Sequence, residues 1–358
     1  MFLRTLRLQN LRNLEPATFV PEARFTVLWG DNGQGKTNFL EAIYLVATLR
    51  SFRTTHLPNL VAWGAEEAHV AAEADRGGLE RRYDVILRPG KKQVLLDGKT
   101  PQSLGEYFGG MNVVTFAPED LRVLRGTPSG RRRFLDRAVF NRHVTFLEDA
   151  QRYAHVLRQR NTLLKQGGAD AVLDVYDEQL AAHGERVDAA RRRTLDELAP
   201  RFAAAFAAIS RSGLAAAVRY DAPPRPPGSL LAELGAGRAR DRLRRHTGVG
   251  PHTDDLVFSL DGRDARAFAS QGQLRALVLA WKAAEMSLLV EVRGDAPLLL
   301  LDDVSSELDP LRNQYLFDLL HEIDCQCFVT TTHPRHVLVA DNRKDYQVVN
   351  GTIRPFTN

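Results

Sequence analysis

The stretch RFTVLWGDNGQGKTNFLEAIYL, residues 24–45, decides the fold. It contains the spacing G-x-x-x-x-G-K-[ST], which begins at Gly30 and ends at Thr37. The apolar residues 25–29 predict a strand before this loop, and apolar residues at helical spacing predict a helix over 36–49 after it. Because strand, glycine-rich loop and helix follow one another in the order that the motif requires, the stretch predicts a phosphate-binding loop.

Each residue type in this loop has a chemical reason to be there. The glycines let the backbone wrap phosphate groups with its N–H donors. Lys36 can reach the β- and γ-phosphate oxygens, and Thr37 can offer its hydroxyl to Mg²⁺. A glycine-rich turn with an exposed lysine is the alternative interpretation. The residues predicted to bind ATP are Gly30, Asp31, Asn32, Gly33, Gln34, Gly35, Lys36 and Thr37.

A second motif, LLLLDDVSSELD at residues 298–309, consists of a predicted buried strand that ends in acid. This is the Walker-B arrangement, in which Asp302 would hold Mg²⁺ through its water shell and Asp303 would face the attacking water. Taken alone, a strand followed by a helix-capping aspartate explains the same residues. With the loop upstream, the motif predicts a Mg²⁺-dependent nucleotide site.

A third motif, AFASQGQLRAL at residues 267–277, opens a long predicted helix. Ser270 can cap this helix, while the backbone N–H groups of Gly272 and Gln273 and the helix dipole point at an anion. A helix cap without a ligand is an equally good interpretation of the motif by itself. The four residues that would form the anion contact are Ser270, Gln271, Gly272 and Gln273.

The order of the motifs indicates the class of nucleotide-binding protein. ABC-type ATPases carry a signature sequence before the Walker-B aspartate, which is where Ser270 lies relative to Asp302. They also carry a D-loop after Walker B, matched here by residues 305–309, and a switch histidine after the next strand, matched by His333. Four elements in the correct order predict an ABC-type ATPase rather than a phosphate-loop kinase or GTPase.

The chain ends and the middle differ in their predicted structure. Strands and helices alternate in the first and last thirds, whereas residues 129–165 and 171–210 are helical in pattern and an arginine-rich stretch follows a proline-rich linker. We therefore expect an α/β fold, an ABC-type P-loop ATPase head built from both chain ends. The helical arm is expected to be an inserted domain of roughly 50 Å. The expected boundaries are 1–118 and 248–358 for the head and 119–247 for the arm.

Positive charge is concentrated in the middle of the chain. Residues 119–245 carry 24 basic and 16 acidic side chains, whereas the whole chain has a net charge of +4. This segregation suggests an anionic partner for the middle segment. The only two cysteines, Cys325 and Cys327, exclude a disulfide framework and predict buried thiols on one strand.

The chain resembles the ATPase heads of structural-maintenance-of-chromosomes proteins, and more closely the RecF family of bacterial DNA repair proteins. The matching residues are the nucleotide motifs above together with FLRTLRLQNLRNLE at 2–15, LRSFRTTHLPNL at 49–60 and FAPEDLRVLRGTPSGRRRFLD at 116–136. The match covers essentially the whole chain. The short arm fits this family, which lacks the very long coiled coil of its relatives.

The resemblance implies an ATP-dependent homodimer with two-fold symmetry. ATP would be sandwiched between the Walker-A loop of one copy and the signature of the other, and slow, DNA-stimulated hydrolysis would reset the dimer. It further implies recombinational repair of gaps, maintenance of replication forks, SOS induction, and loading of RecA with RecO and RecR. Arg12 matches a position that contacts nucleotide in related heads, although an ordinary surface arginine explains it as well.

Two positions depart from the ABC pattern. Asp303 stands where glutamate is usual, and its shorter carboxylate predicts slow hydrolysis suited to a timed switch. The Q-loop glutamine should fall within residues 116–120, where only Glu119 and Asp120 are found, so this contact stays unassigned.

DNA contacts are expected to be mostly to phosphate and independent of base sequence, because the chain has no helix-turn-helix or zinc-finger pattern. Duplex DNA or a single-strand/duplex junction is the favoured substrate. For each arginine cluster alone, a solvated helix face is the alternative. The candidate residues are Arg131, Arg132, Arg133, Arg191, Arg192 and Arg193, with the arginines at 238–245.

Two other classes of protein share some of these motifs. The ATPase subunit of a transporter would need a membrane-coupling surface and usually a glutamate at position 303, and the helical insertion argues against it. A phosphate-loop kinase or GTPase would leave the signature and His333 unexplained. No apolar stretch approaches the ~20 residues that span a bilayer, and we expect a cytoplasmic protein without a membrane partner.

Overall fold

The computed structural model describes residues 1–303 and 308–356. Two compact units share the chain: Met1–Leu121 and Val278–Asn358 form the first, and Arg122–Leu277 forms the second. The first unit thus combines both ends of the chain, as expected. The second unit extends past the expected boundary at 247, because residues of the segment 248–277 pair with strands and helices of the insertion. Residues 305–307 of the expected D-loop lie outside the described part of the chain.

Strands and helices alternate along most of the chain. The strands are β1 (Phe2–Gln9), β2 (Ala17–Phe19), β3 (Phe25–Trp29), β4 (Ala68–Arg76), β5 (Leu79–Arg88), β6 (Lys91–Leu96), β7 (Val113–Phe116), β8 (Ala216–Asp221), β9 (Asp255–Leu260), β10 (Arg263–Asp264), β11 (Leu298–Asp302), β12 (Cys327–Thr331), β13 (Arg343–Val349) and β14 (Thr352–Phe356). The α-helices are α1 (Lys36–Thr48), α2 (Leu104–Phe108), α3 (Pro118–Val123), α4 (Pro128–Arg142), α5 (Phe146–Gln166), α6 (Asp170–Ser210), α7 (Ser229–Arg244), α8 (Ala265–Phe268), α9 (Gln271–Arg293) and α10 (Pro310–Glu322). Short 3₁₀ helices cover Leu57–Leu60 and Pro334–His336.

A largely parallel sheet carries the nucleotide loop. Its strand order is β14-β13-β3-β12-β11-β7, and every neighbouring pair is parallel except β13 with β14. Strands β11 and β12 are buried along their whole length, which is typical of parallel strands covered on both faces. Because parallel strands end at the same edge, the residues after β3, β7, β11 and β12 meet there.

A second sheet of the first unit is antiparallel, with the order β2-β1-β4-β5-β6. The side chain of Gln326, just before β12, accepts a hydrogen bond from Leu3 N at 2.7 Å and donates one to Leu3 O at 3.2 Å. This amide ties the first strand of the chain to its last third. Cys325 and Cys327 are both buried, as predicted.

The second unit contains helices α4 to α7 and a small antiparallel sheet with the order β10-β9-β8. The region predicted to be helical over 129–165 is interrupted between α4 and α5. Helix α6 has 41 residues, which corresponds to about 60 Å. Pairing of β8 with β9 explains why residues 255–260 belong to this unit and not to the head.

Helix α7 occupies the arginine-rich stretch for which the sequence indicated no regular structure. Its buried residues Leu230 and Leu234 recur at helical spacing, but the arginines at 238–244 obscure the pattern in the second half of the helix. Among the described residues, no helix combines the length and the apolar character that a membrane crossing needs.

Candidate nucleotide-binding site

The glycine-rich loop joins β3 to α1 in a conformation that depends on glycine. Gly30 has a φ of 150° and Gly35 a φ of 113°, both in the region that side chains disfavour. A Cβ atom on Gly30 would lie 2.4 Å from the carbonyl oxygen of Val348. Gly35 is the N-cap of α1 and no side chain caps the helix. The first N–H groups of α1 are therefore open to an anionic ligand.

Lys36 lies inside the loop with only 7% of its surface exposed. Its Nζ atom donates hydrogen bonds to the carbonyl oxygens of Gly30 at 2.6 Å and Asp31 at 2.8 Å. Burial lowers the pKa of Lys36, and the charges of Asp303, Asp302 and Asp31 oppose that shift. The ammonium thus occupies the centre of the loop, close to the two Walker-B aspartates.

Thr37 and Asp302 meet across the sheet edge. The Thr37 hydroxyl donates to Asp302 Oδ1 at 2.7 Å, and the Thr330 hydroxyl donates to the same oxygen at 2.8 Å. Burial raises the pKa of Asp302, and the two hydroxyl hydrogen bonds counter that rise. The pairing brings together the two residues predicted to serve Mg²⁺, although they are far apart in sequence.

The donor set fits Mg²⁺ bound mainly by phosphate and water. A hydroxyl and a carboxylate oxygen are hard ligands of the kind Mg²⁺ prefers. The described residues contain no cluster of three or more acidic, histidine or cysteine side chains that could hold a metal alone. Mg²⁺ in kinase and ATPase sites is typically held by one or two protein oxygens plus substrate phosphates, so Thr37 and Asp302 suffice as the protein's share.

Asp303 follows directly and adopts a left-handed backbone conformation with a φ of 49°. Its backbone N–H donates to Thr330 O at 3.1 Å and to the Thr330 hydroxyl at 3.0 Å. Thr330 therefore positions both aspartates at the end of β11. Of the carboxylate charges that raise the pKa of Lys36, that of Asp303 has the largest effect.

Arg12 braces α1 from the β1–β2 connection. Its Nε and Nη2 atoms donate to the buried carboxylate of Glu41 at 3.1 and 3.2 Å, and Nη1 donates to Asn59 O at 2.9 Å. The neighbouring Asn13 donates to Gly33 O at 3.1 Å and so touches the loop itself. The guanidinium of Arg12 thus faces Glu41, and its predicted nucleotide contact stays a prediction.

Two charged residues near Asp302 were not assigned a role from the sequence. Arg53 donates to the side chain of Asn38 at 2.8 Å, and its charge lowers the pKa of Asp302, whereas the charge of Glu119 raises it. Glu119 follows β7, whose Phe116 pairs with Leu301 one residue before Asp302. Both belong to segments that the sequence marked, 49–60 and 116–136, but only the fold shows that they approach the Walker-B aspartate.

His333 follows β12 at the same edge of the sheet. Its ring is exposed, and Nδ1 accepts a hydrogen bond from Arg335 N at 3.2 Å. Its carbonyl oxygen accepts from the Thr331 hydroxyl at 3.1 Å. The position after the strand agrees with that of a switch histidine, and a contact with phosphate stays a prediction.

Ser270 caps α9, as the sequence predicted. The Ser270 hydroxyl accepts from Gln273 N at 3.2 Å, and the Gln273 side chain accepts from Ser270 N at 2.8 Å. This reciprocal pair is a capping box, which satisfies two backbone donors at the helix start. Gln271 is exposed and Gly272 half-buried, so this end of the helix is accessible for the predicted anion contact.

Two of the arginines predicted to contact DNA are structural residues. Arg131 is 3% exposed and binds Asp255 through two nitrogens at 2.8 and 2.6 Å. Arg191 binds Asp136 at 2.8 and 3.0 Å and also donates to Pro251 O at 2.6 Å. The expectation for Arg131 and Arg191 is therefore corrected: a buried guanidinium already neutralised by a carboxylate does not offer its charge to phosphate.

The other four arginines of the clusters 131–133 and 191–193 differ from these two. Arg132 is half-buried and donates to Asp254 O at 2.6 Å, and Arg192 binds Asp188 at 2.7 Å. Arg133 and Arg193 are exposed, with no ion pair or hydrogen bond to the described residues. These two side chains keep their charge available to a phosphate.

The fold and the site define the class. Strand β3 leads through the glycine-rich loop into α1, which begins with Lys36 and Thr37. Thr37 binds Asp302 at the end of a neighbouring parallel strand. This is the architecture of a P-loop nucleotide-binding head. The model of the family described as RecF/RecN/SMC N terminal domain matches residues 2–354. The chain belongs to this family.

Relatives of known name agree with this assignment. The chain is 47% identical over 346 residues to "DNA replication and repair protein RecF" of Myxococcus xanthus (strain DK1622), covering 93% of this chain and 91% of the relative. A protein of the same name from Anaeromyxobacter sp. (strain Fw109-5) is 45% identical, with 99% and 100% coverage.

Solved structures show the same similarity in three dimensions. A structure described as the recombination mediator protein RecF-ATP in the RecFOR pathway has a TM-score of 0.89 at 29% identity, covering 99% of this chain and 98% of that one. An Smc head bound to a domain of ScpA has a TM-score of 0.60 at 17% identity, with 99% and 97% coverage, and shares the fold.

Proposed function

We propose that this chain is an ATP- and Mg²⁺-dependent DNA-binding protein of recombinational repair and replication-fork maintenance. The observation that carries the proposal is the meeting of Lys36, Thr37 and Asp302 at one sheet edge. The names of the chain's relatives support a role in DNA replication and repair, and the proposal extends this role to gap repair and SOS induction. The RecFOR pathway named in the description of the similar solved structure supports RecO and RecR as partners. With them, the protein would help to load RecA.

Each residue of the loop has a defined task in binding ATP. The backbone N–H groups of residues 30–37 would surround the phosphates, and Lys36 would exchange its two carbonyl acceptors for β- and γ-phosphate oxygens. Thr37 and Asp302 would hold Mg²⁺, which would neutralise phosphate charge when bound. Arg12 would hold α1 in place through Glu41, and Asn13 would hold the loop through Gly33.

Hydrolysis would be slow. Asp303, one methylene shorter than the usual glutamate, would orient the attacking water, and His333 would contact the terminal phosphate from the end of β12. The shorter side chain sits farther from the water than a glutamate would. This favours a protein that stays in its ATP-bound state long enough to act as a switch, with turnover stimulated by DNA.

A complete site would use two copies of the chain. Ser270, Gln271, Gly272 and Gln273 form an accessible helix start that would close on the nucleotide of a second copy. ATP would then join two heads in a homodimer, and loss of the γ-phosphate would release them. DNA would bind the second unit through exposed arginines such as Arg133 and Arg193, by phosphate contacts and without base readout. We place the protein in the cytoplasm, where its DNA substrate lies.

The first experiment is to measure molecular mass in solution with no nucleotide, ADP, ATP or a non-hydrolysable ATP analogue, with and without short duplex DNA. We expect a dimer only with a triphosphate, strengthened by DNA. Ser270→Arg should abolish the dimer and leave nucleotide binding to the monomer intact. Ser212→Arg, at an exposed serine of the same unit, is the matched control and should dimerise normally.

A monomer under all conditions, with nucleotide bound, would overturn the two-copy site. If the Ser270→Arg variant still formed a dimer with ATP, the signature would not be part of the dimer interface. ATP turnover that duplex DNA does not change would contradict the coupling of the switch to DNA.

A further inference from the structure

One face of α7 is packed into the second unit. Leu230 lies against Gly184, since a Cβ atom on that glycine would be 2.6 Å from Leu230 Cδ2. Arg238 binds Asp177 of α6 at 2.7 Å, and Arg242 binds Asp170 at the start of α6 at 2.6 Å. These contacts run in opposite order along the two helices, so α7 packs antiparallel to α6. This face is fully used by the fold.

The opposite face of α7 is apolar and exposed. Ala232, Ala236, Ala239 and Leu243 are all exposed, and Leu243 has 87% of its surface accessible. At 3.6 residues per turn, these four side chains fall within roughly 60° of one another around the helix axis. Leu231, 41% exposed, lies about 80° farther round the helix, on the side away from Arg240 and Arg244. We refer to Ala232, Ala236, Ala239 and Leu243 as the outer face of α7.

Free positive charge flanks the outer face. Arg240 and Arg244 project along one side of it, and both are exposed. Their side chains form no ion pair or hydrogen bond with any residue in the described part of the chain. The acidic residues of α7 are not available to balance them: Glu233 lies 3.7 Å from Arg225, and Asp241 is buried against Arg160 at 2.7 Å. The exposed charge of this helix is therefore mainly positive, although Glu233 keeps 30% of its side chain exposed.

This pattern selects one kind of occupant. A second copy of the same face would bring Arg240 and Arg244 of two chains together, which is electrostatically unfavourable. DNA would satisfy the arginines, but its charged backbone would gain nothing from Leu243 and the alanines. An apolar surface that also carries carboxylates would satisfy both, because burying Leu243 is favourable and the arginines find partners.

We propose that the outer face of α7 docks an amphipathic helix of an acidic protein partner. The apolar side of that helix would cover Ala236, Ala239 and Leu243, and its carboxylates would pair with Arg240 and Arg244. The alanines leave room for a close approach of the second helix. This is a protein-binding surface distinct from the DNA-binding arginines of the proposed function, and it requires neither ATP nor a dimer.

The test uses the full chain and synthetic helical peptides of about 20 residues, long enough to span α7. The first peptide has leucines on one side and glutamates along the flank. The second has lysine in place of every glutamate, and the third has serine in place of every leucine. Affinity is measured by fluorescence anisotropy at several salt concentrations. We expect the glutamate–leucine peptide to bind at least tenfold more tightly than either of the others.

Variants locate the binding surface. Leu243→Ser should weaken binding of the glutamate–leucine peptide at least tenfold, and Arg240→Ala with Arg244→Ala should weaken it and flatten its salt dependence. Val175→Ser alters an exposed valine of α6 in the same unit and should leave the affinity unchanged. Because Leu243 is almost fully exposed, its replacement should not affect folding, which circular dichroism would verify.

Equal binding of the glutamate and lysine peptides, or no effect of Leu243→Ser, would overturn the proposal. Duplex DNA provides the remaining comparison. If the double arginine variant weakens duplex binding tenfold while Leu243→Ser changes neither DNA nor peptide binding, the outer face of α7 belongs to the DNA surface. Unchanged duplex binding in Leu243→Ser, together with lost peptide binding, supports the protein partner.

Discussion

Lys36 in the first unit and Arg131 in the second are both buried cations, 7% and 3% exposed, but different groups surround them. The Lys36 ammonium is held by two carbonyl oxygens and forms no ion pair with the described residues. The Arg131 guanidinium is bound through two nitrogens by the carboxylate of Asp255. A cation held by neutral acceptors can exchange them for phosphate, whereas a neutralised cation would have to break an ion pair first.

The same contrast divides the arginines of the insertion. Arg160 and Arg225 are fully or almost fully buried among aspartates, and Arg191 joins Asp136. Arg133, Arg193, Arg240 and Arg244 are exposed and unpaired within the described residues. The positive balance of the segment therefore overstates the charge that it presents to a ligand. Position in the fold, not the number of arginines, decides which of them can bind DNA or protein.

The largest effect is expected at Lys36. Lys36→Ala should reduce ATP affinity or turnover by about 100- to 1000-fold, because charge-assisted contacts to phosphate are lost in a buried site. Isothermal titration and steady-state hydrolysis would measure the two quantities. Lys91→Ala, at an exposed lysine of β6, is the control and should match the parent. If Lys36→Ala reduced ATP affinity and turnover by less than tenfold, Lys36 would not be the phosphate-binding cation that distinguishes the loop from Arg131.

Arg131→Ala should lower the free energy of unfolding by about 3 kcal/mol, since removing one partner leaves a partly buried carboxylate uncompensated. Arg133→Ala, two residues away and exposed, should change it by less than about 0.5 kcal/mol. Urea denaturation of the two variants measures the difference. Similar stabilities would contradict the structural role of Arg131, and adding Asp255→Ala to Arg131→Ala should recover part of the loss.

Arg133→Ala and Arg193→Ala should each weaken duplex binding a few-fold. Each should also lower the slope of log affinity against log salt by about 1, because one phosphate contact is lost. Anisotropy of a labelled duplex at several salt concentrations provides both values. We expect the affinity to fall equally for duplexes of different base sequence. A loss confined to one duplex sequence would point to base readout instead.

The smallest effect concerns pH and His252. Its Nδ1 lies 2.6 Å from the Tyr153 hydroxyl and its Nε2 lies 3.0 Å from Thr247 O. Burial lowers the pKa of His252 below its ordinary 6.5. Protonation therefore favours the unfolded chain, and the free energy of unfolding should fall as pH drops from 6.5 through the lower folded-state pKa. Urea midpoints measured at several pH values should no longer show this fall in His252→Gln. The control His246→Gln, at an exposed histidine, should still show it.

Local patterns predicted most of the first unit. Strand β3 has the predicted bounds 25–29, and α1 begins at the predicted Lys36. These elements follow strong alternating or helical periodicity, and the loop between β3 and α1 depends on glycines that are visible in the sequence. Other elements of this unit, such as β2, α2, β13 and β14, were not predicted, because each is short or rich in charged residues.

The insertion was harder to predict. The pattern of residues 129–165 predicts one helix, but the helix is interrupted between Arg142 and Phe146. Helix α7 was not predicted, because arginines interrupt its apolar positions. The second unit extends to Leu277 because β9 pairs with β8. Pairing between distant strands leaves no periodic signal in either segment.

The sequence by itself determined the phosphate loop, the Walker-B aspartates and the family, because these functions require particular residue types at short, regular spacing. Only the tertiary structure decided that Thr330 holds Asp302 and Asp303, that Glu119 and Arg53 approach them, and which arginines are free. Those facts depend on which strand ends meet and which carboxylates face each arginine. Such contacts join residues far apart in the chain, and no spacing within the sequence records them.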